Sequence, residues 1–124
     1  MAMAAWERRD VRSFPFTGGR LDVYRRDDKL VVGPCMSLYL DEAEVVRIDL
    51  PFEPEGAAHE HWWGLPGKPR LYYPRHWPHL RLVELACSNL VEHTPTAAKL
   101  AGKNPPPRSV LVEAAEWALG ELVP

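Results

Sequence analysis

Polar and apolar residues alternate along most of the first fifty positions, and this pattern constrains the fold more than any other feature of the chain. The alternation is clearest in residues 21–24, 36–40 and 46–50. A period of two puts every second side chain on the same face of a β-strand. Gly18-Gly19 and Asp41-Glu42 mark short turns between such segments. The pattern therefore predicts an antiparallel meander with one buried face.

Two further positions in this half of the chain carry turn or breaker signals. Asp27-Asp28 predicts a turn, and apolar residues resume at 30–32. Gly33-Pro34 then interrupts the run. Such an interruption is expected at a sheet edge or a bulge, because proline donates no backbone hydrogen bond.

The spacing of apolar residues changes to that of a helix near residue 80. A strand over residues 80–85 also fits the pattern. Thr94-Pro95 predicts the N-cap and first residue of a second, short helix that ends at Gly102. Ser109 predicts the cap of a last helix with Trp117 at its margin. The inward stripe of that helix contains Leu111, Ala114, Ala115, Ala118 and Leu122.

The predicted fold is α+β, with an N-terminal antiparallel β-meander and C-terminal helices packed on one face. A length of 124 residues, with 46% apolar and 26% charged residues, is typical of one soluble globular domain. That domain spans residues 1–124, with 1–10 as a flexible end. Residues 51–79 form a Pro- and aromatic-rich connecting segment, and 80–124 form the helical part.

Charge and cysteine content narrow the classes of function. The formal net charge of −2 gives no overall attraction to nucleic acid. The two cysteines form no CxxC motif, and no apolar run is long enough for a membrane helix. We expect no signal peptide, because charges begin at Glu7, before a sufficient apolar run. We therefore expect a cytoplasmic protein without disulfides and without membrane contact.

Residues 59–79 concentrate the side chains that most often take part in binding. This window holds four of the five histidines, three of the five tryptophans and two of the four tyrosines. Its prolines predict short extended stretches, at 59–63 and 70–73, in a loop or at a sheet edge. Trp, Tyr and Arg dominate the binding energy of protein interfaces. The predicted binding residues are Trp62, Trp63, Arg70, Tyr72, Tyr73, Arg75 and Trp77.

Three roles are open for these aromatic and basic residues. Trp62, Tyr73 and Trp77 could anchor a protein partner or a second copy of the chain, with Arg70 and Arg75 at the rim. The rings could instead simply cover the open face of the sheet. They could also stack on a single-stranded nucleic acid, which the net charge disfavours. We predict a small protein-interaction module in preference to an enzyme, and an enzymatic alternative stays open.

The histidines provide an enzymatic alternative. His59 and His61 would lie on one face of an extended segment, a spacing that suits two ligands of one divalent metal. His79 could supply a third ligand, and Glu60 could act as the base of a metal-dependent hydrolase. Surface histidines or hydrogen-bonded core histidines produce the same pattern, so no cofactor is expected under the main prediction.

Cys87 is the candidate nucleophile, with His79 and His93 near it in sequence. On the apolar face of a helix, however, a cysteine is more typical of a small buried residue. A reactive thiol would need a cationic environment or a helix N-terminus. We therefore predict a structural role for Cys87.

The run LYYP at residues 71–74, with His61 upstream and Trp77 downstream, resembles a segment of bacterial ubiquitin-conjugating-enzyme-like (E2-like) proteins. That segment reads approximately H…LCLYYP..W, and the order of meander, Pro-rich segment and helices is also similar. The catalytic cysteine of the family would fall on Arg70, which cannot form a thioester. The resemblance implies a non-catalytic relative that binds partners through this segment.

Overall fold

A computed structural model describes residues 8–27, 32–50, 58–74 and 76–121 of the chain. Its strands are β1 (Arg8–Phe16), β2 (Gly19–Asp27), β3 (Val32–Leu40), β4 (Ala43–Asp49), β5 (His59–His61) and β6 (Arg70–Tyr72). Its helices are α1 (His79–Leu100) and α2 (Arg108–Glu121). The strands lie in chain order and each pairs antiparallel with the next. The predicted α+β fold with an antiparallel meander is confirmed.

The predicted turns after β1 and β3 are confirmed. Gly18 adopts a φ of 95° in the first turn, and Asp41 and Glu42 adopt φ of 49° and 68° in the second. Positive φ at these positions is the backbone geometry of tight hairpins. Gly19 already belongs to β2, and a Cβ there would lie 2.0 Å from the carbonyl oxygen of Tyr39.

Three expectations at the ends and joints of the sheet have different outcomes. Gly33-Pro34 does not interrupt the third strand, because β3 runs through both residues. Pro34 pairs with Arg25 of β2. The pairing of β3 with β4 begins only at Cys35 with Asp49, so the missing N–H of Pro34 breaks no hydrogen bond to β4. The predicted turn at 27–28 lies partly outside the described residues. Within the predicted flexible end 1–10, residues 8–10 belong to β1 and the others lie outside the described residues.

The prediction of a separate helix starting at Thr94-Pro95 is wrong. A single helix, α1, runs 22 residues with Pro95 inside it, and residues 80–85 are helical. Thr94 and Ala98 are buried on either side of the proline, so packing holds the helix together despite the lost hydrogen bond. The predicted end is confirmed, since Gly102 has a φ of 73° and Lys103 N–H donates to the Ala98 carbonyl at 2.9 Å.

The last helix begins at Arg108, so Ser109, the predicted N-cap, lies inside the first turn of α2. The Pro107 carbonyl accepts hydrogen bonds from the backbone N–H of Val110 and Leu111. The predicted stripe is buried at Leu111, Ala114, Ala115 and Ala118, and Trp117 is half-buried at its margin, whereas Leu122 lies outside the described residues.

One apolar cluster joins one face of the sheet to both helices. From the sheet it includes Leu21, Val23, Met36, Leu38 and Ile48, and from the helices Val83, Ala86, Leu90, Leu111 and Ala114. These strand residues alternate with side chains that point to the opposite face. No helix in the described parts of the chain is long and apolar enough to cross a membrane.

The central part of the opposite face of the sheet is also buried, which a meander with one buried face does not predict. Tyr24 and Ser37 are fully buried there and share a hydrogen bond of 2.7 Å. Arginine side chains lie over aromatic rings on this side, with the Arg8 guanidinium 4.1 Å from the Tyr24 ring centroid. Arginine stems can cover such rings while keeping the charged group near water.

Candidate functional site

The pairing of strands places two rows of polar side chains side by side on the face opposite the helices, hereafter the polar face. The first row crosses five strands and contains Tyr24, Cys35, Asp49, His59 and Tyr72. The second row contains Asp22, Ser37, Arg47, His61 and Arg70. Because residues two apart in a strand point the same way, both rows occupy one face. The polar face therefore gathers ionisable groups from strands that are distant in sequence.

Asp49, His59 and His61 form the tightest group on the polar face. Asp49 Oδ2 lies 3.2 Å from His59 Nε2 and 3.6 Å from His61 Nε2. The two Nε2 atoms are 2.9 Å apart. Ligands bound at roughly 2.0–2.2 Å to one metal ion lie roughly 3–3.5 Å from each other. The three atoms thus have the mutual spacing of metal ligands, and we call these residues the Asp49 triad.

The other carboxylate oxygen of Asp49 is held separately. Cys35 Sγ donates to Asp49 Oδ1 at 3.2 Å, and Arg26 Nη1 lies 3.6 Å from the same oxygen. Asp49 is only 1% exposed. These contacts orient the carboxylate so that Oδ2 faces the two imidazoles, which is the role that outer partners play around metal ligands.

The ionisation of Asp49 and His61 suits metal binding at neutral pH. Burial alone would raise the pKa of Asp49, but the hydrogen bond from His59, the charge of Arg47 and the hydrogen bond from Cys35 lower it to about 2. Burial, together with the neighbouring His59 and Arg47, lowers the pKa of His61 to about 4. A carboxylate and a neutral imidazole are the forms that coordinate metals.

Cys35 is a hydrogen-bond donor in this group and not a thiolate. Burial raises the pKa of its thiol well above the usual value, and the adjacent Asp49 carboxylate raises it further. At neutral pH the sulfur keeps its proton and can donate it to Asp49 Oδ1. Neither Cys35 nor Cys87 is in a disulfide.

Arg47 places a positive charge against the same ligand atoms. Its Nε lies 3.3 Å from Asp49 Oδ2, and its Nη2 lies 3.4 Å from His61 Nε2. The guanidinium is 4.9 Å from the Trp63 ring centroid, and Trp63 stacks on His61 at 4.7 Å with an interplanar angle of 17°. Arg47 therefore supplies, without any ion, the positive charge that a metal would bring to Asp49.

Glu60 lies between the two histidines in sequence but on the opposite face of the sheet, toward the helices. It is 1% exposed and pairs across the sheet with Ile48 and Leu71. The predicted role of Glu60 as base for a metal held by His59 and His61 does not fit this placement, because alternation turns its side chain away from them. The alternation of side chains that places both imidazoles on one face already implies this orientation of Glu60.

The carboxylate of Glu60 accepts three hydrogen bonds. Trp62 Nε1 donates to Oε1 at 2.7 Å, Asn89 Nδ2 donates to Oε2 at 2.8 Å, and the Tyr73 hydroxyl also donates to Oε2. Burial raises the pKa of Glu60, although the bonds from Asn89 and Trp62 act in the other direction. Trp62 and Tyr73 are therefore buried partners of Glu60.

Some of the predicted binding residues of the 59–79 window are buried, and others are exposed to solvent. Trp62 and Tyr73 are each 6% exposed, and Trp63 is partly buried beside His61. Arg70, Tyr72 and Trp77 are exposed, and Arg75 lies outside the described residues. The window does not present all of its rings to solvent together.

His79, predicted as a third metal ligand, is not part of the Asp49 triad. His79 is the first residue of α1, and its Nε2 lies 3.2 Å from the backbone carbonyl oxygen of Leu50. Burial lowers the pKa of His79. Asp49 of β4, and not His79, is the third candidate ligand beside His59 and His61 of β5.

The prediction of a structural role for Cys87 agrees with its surroundings. Its Sγ lies 3.6 Å from the carbonyl oxygen of Ala115, within the α1–α2 contact. Burial raises the pKa of the thiol to about 12, so it is protonated at neutral pH. Cys87 packs as a small apolar side chain.

Comparison with known proteins provides no relative for this site. No family model, no curated protein and no solved structure matches the chain.

Proposed function

We propose that this protein binds a divalent transition metal at the Asp49 triad and uses it for hydrolytic chemistry. The observation that carries the proposal is the spacing of Asp49 Oδ2 and the Nε2 atoms of His59 and His61, which lie 2.9–3.6 Å apart. Two histidines and one carboxylate are a recurrent catalytic ligand set, because three protein ligands leave a position for water. A metal there would lower the pKa of bound water to about 7.

The charges around the triad favour an anionic substrate. Arg26 and Arg47 contact Asp49 from two sides. Arg70 is exposed and lies opposite His61 in the adjoining edge strand. Guanidinium groups bind carboxylates and phosphates through paired hydrogen bonds. A phosphate or carboxylate ester is therefore the substrate class that this proposal favours.

Arg47 competes with the metal in this proposal. It contacts Asp49 Oδ2 and His61 Nε2, so an ion at the triad must replace the guanidinium at those atoms. Replacing Arg47 by Gln removes the competing charge. We expect the Arg47→Gln variant to bind Zn²⁺ at least as tightly as the wild type.

Calorimetric titration of tag-free protein with Zn²⁺, with bound metal counted by elemental analysis, tests the proposal. We expect one Zn²⁺ per chain and a rise in melting temperature, because an ion that binds only the folded state stabilises it. His59→Gln and His61→Gln should each weaken binding at least tenfold. His76→Gln, an exposed histidine of the same window, is the matched control and should bind like the wild type. No binding by the wild type, or equal binding by the two ligand variants, would contradict the proposal.

A second candidate function, protein interaction through the 59–79 segment, is favoured by exposed apolar side chains at the sheet edge. Leu71 is 47% exposed, Tyr72 56%, Trp77 38% and Leu80 49%. β6 is the last strand in the sheet order, and an edge strand can pair with a strand of another chain. The resemblance to E2-like proteins implies partner binding through the same segment.

Self-association through this edge is the form of the second candidate that can be tested directly. Sedimentation at increasing concentration should show a dimer, which Trp77→Ala should weaken while the far-UV circular dichroism stays unchanged. A monomer at every concentration would contradict self-association. Unfolding of Trp77→Ala would show that the ring is needed for the fold, and would contradict its role as an anchor.

A further inference from the structure

A pocket of about 390 Å³ lies on the helix side of the sheet, between the β5–β6 edge and α1. Most of its wall is apolar, and Trp62, Leu71 and Leu100 contribute to it. Glu60 and Asn89 supply polar atoms. Small-molecule sites have volumes of roughly 300–1,000 Å³, mostly apolar walls and a few polar groups that orient the ligand. The pocket has this composition.

The Glu60 carboxylate is the acidic group in the pocket wall. Its three hydrogen-bond donors, Trp62, Tyr73 and Asn89, are all uncharged side chains. Among the described residues, Glu60 forms no ion pair with lysine or arginine. His93, which also lines the pocket, is the one basic side chain among the described residues of its wall. A buried carboxylate without a lysine or arginine partner has a large desolvation cost, which a positively charged ligand would offset.

The hydrogen-bonding capacity of Glu60 also has room for a ligand. Oε2 already accepts from both Tyr73 and Asn89, whereas Oε1 accepts from Trp62. A carboxylate oxygen has two acceptor sites, so Oε1 can take one further donor. Asn89 and His93 follow each other on one side of α1 and both line the pocket, so they add polar atoms close to Glu60.

We propose that this pocket binds a small organic amine, with the ammonium group against Glu60 and the apolar body along Leu71 and Leu100. Charge complementarity selects the ammonium group, and the apolar walls select a hydrocarbon body. A neutral alcohol of the same shape gains the apolar contacts without the charge interaction. A carboxylate ligand is repelled by Glu60.

This site is separate from the Asp49 triad. Glu60 points to the opposite side of β5 from His59 and His61, so the sheet itself lies between the two sites. Amine binding therefore does not depend on the metal proposal. Variants of the triad that remain folded should bind the amine as the wild type does.

Titration of the full-length protein with 2-phenylethylamine, followed by two-dimensional NMR of the backbone amides, tests the proposal. At mildly alkaline pH the ammonium group keeps its charge, since its pKa is close to that of lysine. We expect saturable shifts confined to β5, β6 and α1. The neutral 2-phenylethanol should bind at least tenfold more weakly, and 3-phenylpropionate should not bind.

Two variants separate ligand binding from folding. Glu60→Gln removes the charge and should weaken amine binding at least tenfold. Thr96→Phe places a ring at an exposed α1 position that lines the pocket, and should block binding without touching Glu60. His59→Gln, on the opposite face, is the control and should bind normally. Absent binding by the wild type, equal affinity for amine and alcohol, or undiminished binding by folded Glu60→Gln or Thr96→Phe would overturn the proposal.

Discussion

Asp49 and Glu60 are two carboxylates with the same burial and opposite surroundings. Each is 1% exposed, and the two lie on opposite faces of the sheet at neighbouring strands. On the polar face, Asp49 contacts two arginines and two histidines, and its pKa falls to about 2 despite burial. On the helix side, the described hydrogen-bond donors to Glu60 are neutral side chains, and burial raises its pKa although hydrogen bonds and the charge of His93 act in the other direction.

This difference shows that the surrounding groups, and not burial alone, set the direction in which the pKa of each carboxylate shifts. The hydrogen bond from His59, the charge of Arg47 and the hydrogen bond from Cys35 stabilise the charged form of Asp49. The hydrogen bonds to Glu60 and the charge of His93 only partly compensate the desolvation of Glu60. The two groups therefore suit different ligands. Asp49 is a permanent anion that can coordinate a metal, and Glu60 is a carboxylate whose charge an organic cation would stabilise.

The largest effect is expected from removing the anion of the polar face. Asp49→Ala leaves Arg26 and Arg47 without their shared carboxylate, and breaking a buried pair by removing one partner costs about 3–5 kcal/mol. The free energy of unfolding from urea denaturation measures this loss. A loss no larger than that caused by substituting an exposed residue would show that the stability of the polar face does not depend on the charge of Asp49.

A smaller effect is expected on the helix side. Glu60→Ala removes the acceptor of Trp62, Tyr73 and Asn89, and each unsatisfied buried donor costs about 1–3 kcal/mol. Removal of the buried carboxylate also relieves its desolvation cost, and among the described residues no arginine or lysine loses a partner, so we expect the net cost to stay below that of Asp49→Ala in the same urea series. If Glu60→Ala lowers the free energy of unfolding more than Asp49→Ala does, the proposed difference between the two carboxylates is contradicted.

The two faces should respond to pH with opposite sign. Folding lowers the pKa of His61 from 6.5 to about 4, so between these values the unfolded chain binds a proton that the folded chain excludes. Acidification through this window therefore lowers the free energy of unfolding, and His61→Gln should reduce that loss in urea denaturation at stepped pH.

Glu60 has the opposite dependence. Folding raises its pKa above the usual 4.5, so its contribution to stability is fully present below that value and is lost as the pH rises through the folded pKa. Glu60→Gln should therefore gain stability relative to the wild type as the pH increases from about 4.5. A difference between the two proteins that does not change with pH would contradict a raised pKa.

The smallest effect is expected at the exposed end of the first polar row. Tyr72 lies opposite His59 but is 56% exposed, and its hydroxyl accepts from Arg70 at the surface. Tyr72→Ser should change the free energy of unfolding by no more than about 0.5 kcal/mol, as surface substitutions usually do. A loss comparable to that of Glu60→Ala would show that Tyr72 is an integral part of the buried row.

The sheet could be predicted from sequence because its signals are local. Alternation marked the strands, and the turns at Gly18 and Asp41-Glu42 have the residues that tight hairpins prefer. The Thr94-Pro95 signal is equally local, yet α1 continues through it because buried neighbours on both sides hold the helix. Tertiary packing outweighed the local preference there.

The candidate site could be predicted only in part. The spacing of His59 and His61 correctly placed both imidazoles on one face. Asp49 could not be found that way, because its position depends on the pairing of β4 with β5 across residues 51–57. The same alternation turns Glu60 away from the histidines, so a role for Glu60 as their base conflicts with the pattern that places them on one face.

Metal binding at the Asp49 triad can be followed by the visible absorption of tag-free protein titrated with Co²⁺. We predict ligand-field bands of protein-bound Co²⁺ that saturate at one ion per chain, require at least tenfold more Co²⁺ in His61→Gln and are unchanged in Glu60→Gln. These two variants alter neighbouring residues on opposite faces of one strand. A spectrum that stays that of hydrated Co²⁺, or the same dependence on Co²⁺ in His61→Gln as in the wild type, would contradict a metal site at the triad.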